Sequence, residues 1–128
     1  MIFPYEREVR ISLRRKFDFE AAQHLPSFPE GHKCRQMHGH SFKLEVVVSG
    51  TVDPKSGLFY DHAKIAAAVR PIVDKLDHTC LNETPGLENP TLECMAKWFW
   101  DKLHVSLPGL SEITLHETPR ASCTYRGD

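Results

Sequence analysis

The chain has 128 residues, 41% hydrophobic and 26% charged, which is enough for one buried core but too little for two, so a single domain over residues 1–128 is expected. A formal net charge of −1 supplies neither a basic field for nucleic acid nor an acidic tail. The start, Met1 to Lys16, mixes charged and apolar residues, and nowhere do 18 apolar residues stand together, so a cytoplasmic protein with no nucleic-acid or membrane partner is expected.

From Ile11 the apolar side chains alternate through Leu13, Phe17, Phe19 and Ala21, with Arg15 the exception, which is the period-two pattern of a strand burying one face. Pro26, Pro29 and Gly31 then form a loop reaching Cys34. A second alternation, Phe42, Leu44, Val46 and Val48, ends at Gly50, and Asp53-Pro54-Lys55-Ser56-Gly57 supplies turn chemistry. Asp61 is a natural N-cap for a helix carrying Ile65, Val69, Ile72, Val73 and Leu76 at helical spacing. Pro71 is expected to kink that helix or mark its edge. A turn-rich stretch from Asn82 to Pro90 leads to a second helix over 91–103, with Leu92, Met95, Ala96, Phe99 and Leu103 on one stripe. Two short alternating runs close the chain: Ile113 and Leu115, then Ala121, Cys123 and Tyr125. The order describes an α+β domain, a four-stranded antiparallel sheet covered on one face by two helices.

The chemistry concentrates in a few positions. His38-Gly39-His40 runs into the second strand on the parity of Phe42 and Leu44, so both imidazoles project from one face, about 7 Å apart in Cα, and are able to chelate one cation. Cys34 stands four residues earlier between Lys33 and Arg35, whose positive charges favour a thiolate with nucleophile or base character. No C-x-x-C pair occurs, and Cys80, Cys94 and Cys123 read as small buried hydrophobes in a reducing compartment. Asp77-His78 at the first helix exit reads either as a helix cap or as a catalytic pair. Glu117 shares the parity of Ile113 and Leu115, which aims a carboxylate at the apolar side of the sheet, where it needs a partner or a ligand unless it reaches solvent at the strand end. Trp98 and Trp100 read as packing residues, and His62, His104 and His116 as exposed.

The string from Pro29 to Phe42, with Cys34 followed at fixed spacing by His38-Gly39-His40, resembles the 6-carboxytetrahydropterin synthases of queuosine and 7-deazapurine synthesis, within the 6-pyruvoyl-tetrahydropterin synthase superfamily. Phe19-Glu20-Ala21-Ala22, Leu76-Asp77-His78 with Leu81-Asn82, Gly86 to Thr91, and His116-Glu117-Thr118 with Tyr125-Arg126-Gly127 carry the same resemblance, which runs from about Lys16 to the end. It implies a tunnelling fold whose subunits join their sheets into a barrel, with active sites at subunit interfaces and a homohexamer, a dimer of trimers, as the usual assembly. The implied reaction converts the pterin substrate 7,8-dihydroneopterin triphosphate to 6-carboxy-5,6,7,8-tetrahydropterin, acetaldehyde and triphosphate. Rival readings are a sister reaction, either 6-pyruvoyl-tetrahydropterin formation or side-chain cleavage, and a silent pterin- or metal-binding paralogue. By motif position Cys34 is the base, Asp77 and His78 its relay, His38 and His40 zinc ligands, and Glu117 the anchor of the pterin's amino-pyrimidine edge or part of a proton relay.

One position departs from the pattern. The family shows its third zinc histidine directly after F-x-A-A, whereas this chain has Gln23 there and His24 one residue later. Gln23 keeps the parity of Phe19 and Ala21, so His24 faces away unless the strand bulges before Leu25. Three arrangements compete for the third ligand: His24 turned inward by a bulge, His32 swung in from the loop, or Gln23 with water. His24 is the expected one, because a one-residue bulge needs the least rearrangement.

Overall fold

A computed structural model describes residues 8–128, so the sequence reading of residues 1–7 lies outside it. Strand β1 (Arg10–Gln23) and strand β2 (His38–Thr51) pair antiparallel along their whole length, from Arg10 opposite Thr51 to Gln23 opposite His38. Helix α1 (His62–Leu76) follows, then a two-residue strand β3 (Thr79–Cys80), helix α2 (Leu92–Leu103), strand β4 (Leu110–Thr118) and strand β5 (Ala121–Tyr125). The sheet order is β3-β1-β2-β4-β5, with β3 parallel to Ala21–Ala22 of β1 and the remaining pairs antiparallel. The sheet therefore has five strands where the sequence pattern gives four. A two-residue strand is too short to carry any periodicity, and β3 exists because of what precedes it.

The alternation read from sequence is the burial pattern of the strands. Phe17, Phe19 and Ala21 of β1, Phe42, Leu44, Val46 and Val48 of β2, and Ile113 and Leu115 of β4 are all buried on one face. Against them lie Ile65, Val69, Val73 and Leu76 of α1 and Met95, Phe99 and Leu103 of α2. Phe19 and Phe42 stack with ring centroids 5.0 Å apart. Each such side chain contributes about 1.5–3 kcal/mol of burial, which the opposite face, lined by Arg14, Lys16, Asp18, Lys43 and Glu45, cannot supply. Arg15, the exception in the first alternation, reaches along the helix side of the sheet to α1, where its Nη1 meets His62 Nδ1 at 2.8 Å and donates to the His62 carbonyl at 3.3 Å.

Both helices start as their caps dictate. Asp61 Oδ1 accepts from the Ala63 N–H at 2.9 Å, and Thr91 Oγ1 from the Cys94 N–H at 3.1 Å. Pro71 neither ends nor bounds α1; the helix runs through it to Leu76, losing the hydrogen bond that the absent N–H would have made. The cysteines are all free thiols, and Cys94 is exposed, with Cys80 and Cys123 only half-buried, so none of these three is the buried hydrophobe expected. Among the described residues no helix is long and apolar enough to cross a membrane.

Candidate active site

The C-terminal end of β1, the N-terminal end of β2 and the end of β4 lie side by side, and the positions of inward parity there are no longer apolar. Gln23, His38, His40 and Glu117 replace the phenylalanines and leucines of the strand centres. His38, His40 and Glu117 face a cleft of about 640 Å³ whose other walls include Phe28, Lys33 and Cys34 from the loop between β1 and β2, and Thr91, Leu92 and Glu93 at the start of α2.

His38 Nδ1 lies 2.7 Å from the Gln36 carbonyl oxygen. A carbonyl only accepts, so Nδ1 carries the proton and the lone pair sits on Nε2, the form in which an imidazole binds a metal. The His40 ring lies edge-on to His38, with centroids 4.9 Å apart. Its Nε2 is 3.4 Å from Glu117 Oε1. Burial pushes the His40 pKa below the ordinary histidine value; the Glu117 carboxylate opposes that shift and His38 adds to it. The same Glu117 oxygen accepts a hydrogen bond from Gln23 Nε2 at 2.9 Å.

The loop carrying Cys34 is fixed by its own polar groups. The Leu25 N–H donates to the Cys34 carbonyl at 2.9 Å, and Arg35 Nη1 donates to the carbonyls of Pro26 and Phe28, each at 2.8 Å. Gly31 turns at φ +88°, a conformation open to glycine without strain. Arg35 is therefore a strut of the loop, and of the two basic neighbours only Lys33 shares the cleft with Cys34.

The candidates for the third metal ligand sit in different surroundings. The β1–β2 ladder is unbroken to its last pair, Gln23 opposite His38, and His24 lies just beyond it. Asn82 clamps the His24 backbone, its Oδ1 accepting from the N–H at 2.9 Å and its Nδ2 donating to the carbonyl at 2.8 Å. His24 does not line the cleft. His32 is engaged elsewhere, stacked on Phe28 at 4.4 Å with Nδ1 accepting the Cys34 N–H at 3.0 Å. Among the described residues, no three His, Cys, Asp or Glu side chains gather as a metal-binding group. The donors on the inward face at this end of the sheet are two imidazoles, an amide and the Glu117 carboxylate, residue types that suit a divalent cation.

Asp77 and His78 are placed by α1, and His78 lines a different cleft from Cys34. Asp77 caps α1, its N–H donating to the Val73 carbonyl, while its Oδ1 accepts from the Glu20 N–H at 2.8 Å. His78 then takes φ +60° and donates its N–H to the Glu20 carbonyl, which sets β3 beside β1. The cap reading and the placement of a histidine at the sheet edge are thus one feature. The His78 imidazole is largely exposed, 3.7 Å from Asp77 Oδ2, and lines a second, more open cleft of about 570 Å³ with Glu20, Ser41 and Cys80. Asn82 and Phe28 have no periodic signal of their own and are recognised only by what they touch. Two histidines read as exposed have carboxylate or guanidinium partners: His116 bonds Glu45, and His62 bonds Arg15.

A five-stranded sheet backed on one face by two helices is a fold shared with solved structures. The chain superposes on 6-pyruvoyl tetrahydropterin synthase of Caenorhabditis elegans with a TM-score of 0.87 at 28% identity, covering 97% of this chain and all of that one (100%). It is 39% identical over 117 residues to 6-carboxy-5,6,7,8-tetrahydropterin synthase of Synechocystis, covering 87% of this chain and 89% of the relative. It is 36% identical over 113 residues to dihydroneopterin monophosphate aldolase of Pyrococcus furiosus, covering 86% and 90%. The sequence profile of 6-pyruvoyl tetrahydropterin synthase matches residues 12–128. The chain therefore belongs to the 6-pyruvoyl tetrahydropterin synthase family, a family of pterin-processing enzymes.

Proposed function

We propose that the chain is a 6-carboxytetrahydropterin synthase, converting 7,8-dihydroneopterin triphosphate to 6-carboxy-5,6,7,8-tetrahydropterin with release of acetaldehyde and triphosphate. The observation that carries this reading is the convergence of Cys34, His38, His40 and Glu117 on one cleft, together with the 39% identity to the Synechocystis synthase.

Each residue has a task that its position allows. Glu117, on the inward face at the strand end, accepts hydrogen bonds from the amino-pyrimidine edge of the pterin, and Gln23 holds the carboxylate in place for it. Phe28 offers an apolar wall to the flat ring system, and Lys33 a cation for the phosphates. Cys34, as thiolate, removes a proton from the substrate side chain. Asp77 orients His78, which returns the thiol to its reactive state. Because Cys34 and His78 line separate clefts within one protomer, this relay joins Cys34 of one subunit to Asp77-His78 of a neighbour, in a homo-oligomer. Among the described residues, the long stretch of β1 with no strand on its outer side, and the free side of β5, are edges that such an assembly pairs.

His38 and His40 would hold zinc. The chemistry a bound zinc would supply there is Lewis acidity toward the side-chain hydroxyls of the substrate, which would lower the cost of removing a neighbouring proton.

A second reading is side-chain cleavage of a dihydroneopterin phosphate to a 6-hydroxymethyl pterin, favoured by the 36% identity to the Pyrococcus aldolase. Mass spectrometry of the products formed from 7,8-dihydroneopterin triphosphate decides between them. The 6-carboxy product with acetaldehyde is expected; a 6-hydroxymethyl product overturns the first reading in favour of the second.

A further inference from the structure

Gln23 is fully buried, at 0% exposure, opposite His38 in the β1–β2 ladder. A carboxylate only accepts hydrogen bonds, so the bond to Glu117 Oε1 requires that Nε2, and not Oε1, face Glu117. The amide cannot turn over without placing its oxygen against that carboxylate. Its Oε1 is thereby directed away from Glu117, and it is the one buried side-chain nitrogen or oxygen among the described residues without a hydrogen-bond partner. A buried acceptor left bare is costly, which makes its placement informative.

Three relationships place the residue that carries this oxygen. Gln23 is the cross-strand partner of His38, on the same face of the ladder. The Glu117 oxygen it bonds is the one that His40 Nε2 approaches at 3.4 Å. His38 has its Nδ1 committed to Gln36, leaving Nε2 as a free donor of a lone pair on that face. An unpartnered amide oxygen on the residue opposite His38, joined through Glu117 to His40, can complete a donor set for a cation, which would satisfy the acceptor that no N–H or O–H reaches.

We infer that Gln23 Oε1 is the third protein donor to a divalent cation held by His38 and His40, with Glu117 fixing which end of the amide faces the metal. The inference rests on the reading that His38 and His40 hold a metal. It gives the site two nitrogens and one hard oxygen, a set that binds zinc more weakly than three imidazoles would. It also assigns Gln23 a double duty, because the same amide holds the Glu117 carboxylate.

The test measures zinc affinity by competition with a chromophoric chelator, and the visible spectrum of the Co(II) form, in the wild-type chain and in Gln23→Leu, Gln23→His and His24→Ala. Circular dichroism confirms folding of each. The wild-type chain is expected to bind one zinc per subunit, with Gln23→Leu weaker by roughly ten- to hundred-fold. Gln23→His is expected to bind zinc more tightly than wild type and to shift the cobalt spectrum, since an oxygen is exchanged for a nitrogen. His24→Ala is expected to match wild type. If Gln23→Leu fails to fold, Gln23→His and its cobalt spectrum decide alone. Zinc binding that is lost in His38→Ala but unchanged, with an unaltered cobalt spectrum, in both Gln23 variants overturns the role of Gln23 and leaves the metal reading standing. A wild-type chain that binds neither zinc nor cobalt overturns both.

Discussion

Gln23 Nε2 donates to Glu117 Oε1 across 2.9 Å, joining the last rung of β1 to the end of β4 over 94 positions of sequence. The bond holds a carboxylate on the apolar side of the sheet without a fixed positive charge against it. Glu117 is left with an oxygen free to meet the N–H groups of a ligand.

Glu117→Ala is accordingly expected to weaken pterin recognition while the fold persists. A hydrogen bond to a charged group contributes about 1.5–3 kcal/mol, so kcat/KM is expected to fall roughly 10- to 100-fold. Steady-state kinetics measures this, and calorimetric titration with a non-reacting pterin measures it independently of turnover. Unchanged affinity in the titration would remove Glu117 from the binding site.

Most of the frame is legible in the sequence because strand parity is a local property. Phe17, Phe19, Ala21 and Gln23 fall on one face by counting alone, as do His38, His40, Phe42 and Leu44, and the inward aim of Glu117 follows from Ile113 and Leu115. What parity cannot give is the partner. Register alone places Gln23 inward, yet its bond to Glu117 joins strands that are not adjacent in the sheet. The hold on the His24 backbone comes from Asn82, whose side-chain amide bonds both its N–H and its carbonyl and belongs to a short turn after β3 that has no periodicity. The separation of Cys34 from His78 is likewise a matter of where the helices send the chain, which no spacing encodes.

The polar face of the sheet carries its own pH dependence. The hydrogen bond from His116 lowers the Glu45 pKa below the ordinary glutamate value; partial burial opposes this, and Arg14 supports it. A carboxyl whose pKa is lower in the folded than in the unfolded chain stabilises the fold above its unfolded value, and that contribution is lost as pH falls through the folded one. Glu45→Gln is therefore expected to reduce stability near neutral pH and to flatten the decline in melting temperature on acidification. Thermal melts at closely spaced pH values check this, and parallel curves for the two chains would contradict it.

Gly50, one residue before the end of β2, lies against an aromatic ring. A Cβ there would stand 2.0 Å from Phe59 Cε1 and 2.5 Å from Cζ, well inside contact, so the ring must move or the strand must part from it. Gly50→Ala is expected to destabilise the fold by about 1–3 kcal/mol, the usual cost of overpacking. Adding Phe59→Leu to Gly50→Ala is expected to return part of that loss. Chemical denaturation of the single and double variants provides the comparison, and a Gly50→Ala chain as stable as wild type would show the ring to be free to leave.

The placement of Cys34 and His78 in different clefts makes a prediction about assembly that neither residue makes alone. If the proton relay is completed between subunits, a site needs an intact Cys34 from one protomer and an intact His78 from its neighbour. Cys34→Ala and His78→Ala are each expected to be inactive as pure oligomers, because every site lacks one partner. Co-refolded together in equal amounts, they form mixed oligomers in which some sites draw the intact cysteine from the His78→Ala chain and the intact histidine from the Cys34→Ala chain. Random mixing in a symmetric assembly places both intact groups in about a quarter of the sites. Turnover near that fraction of the wild-type rate is the expected result, with light scattering confirming that mixed and wild-type oligomers have the same mass. If mixing restores nothing although the chains do exchange, then Cys34 and His78 work within one protomer or not together, and the relay between subunits is wrong. If the chain is monomeric at micromolar concentration, the separation of the two clefts stands and His78 has no route to Cys34.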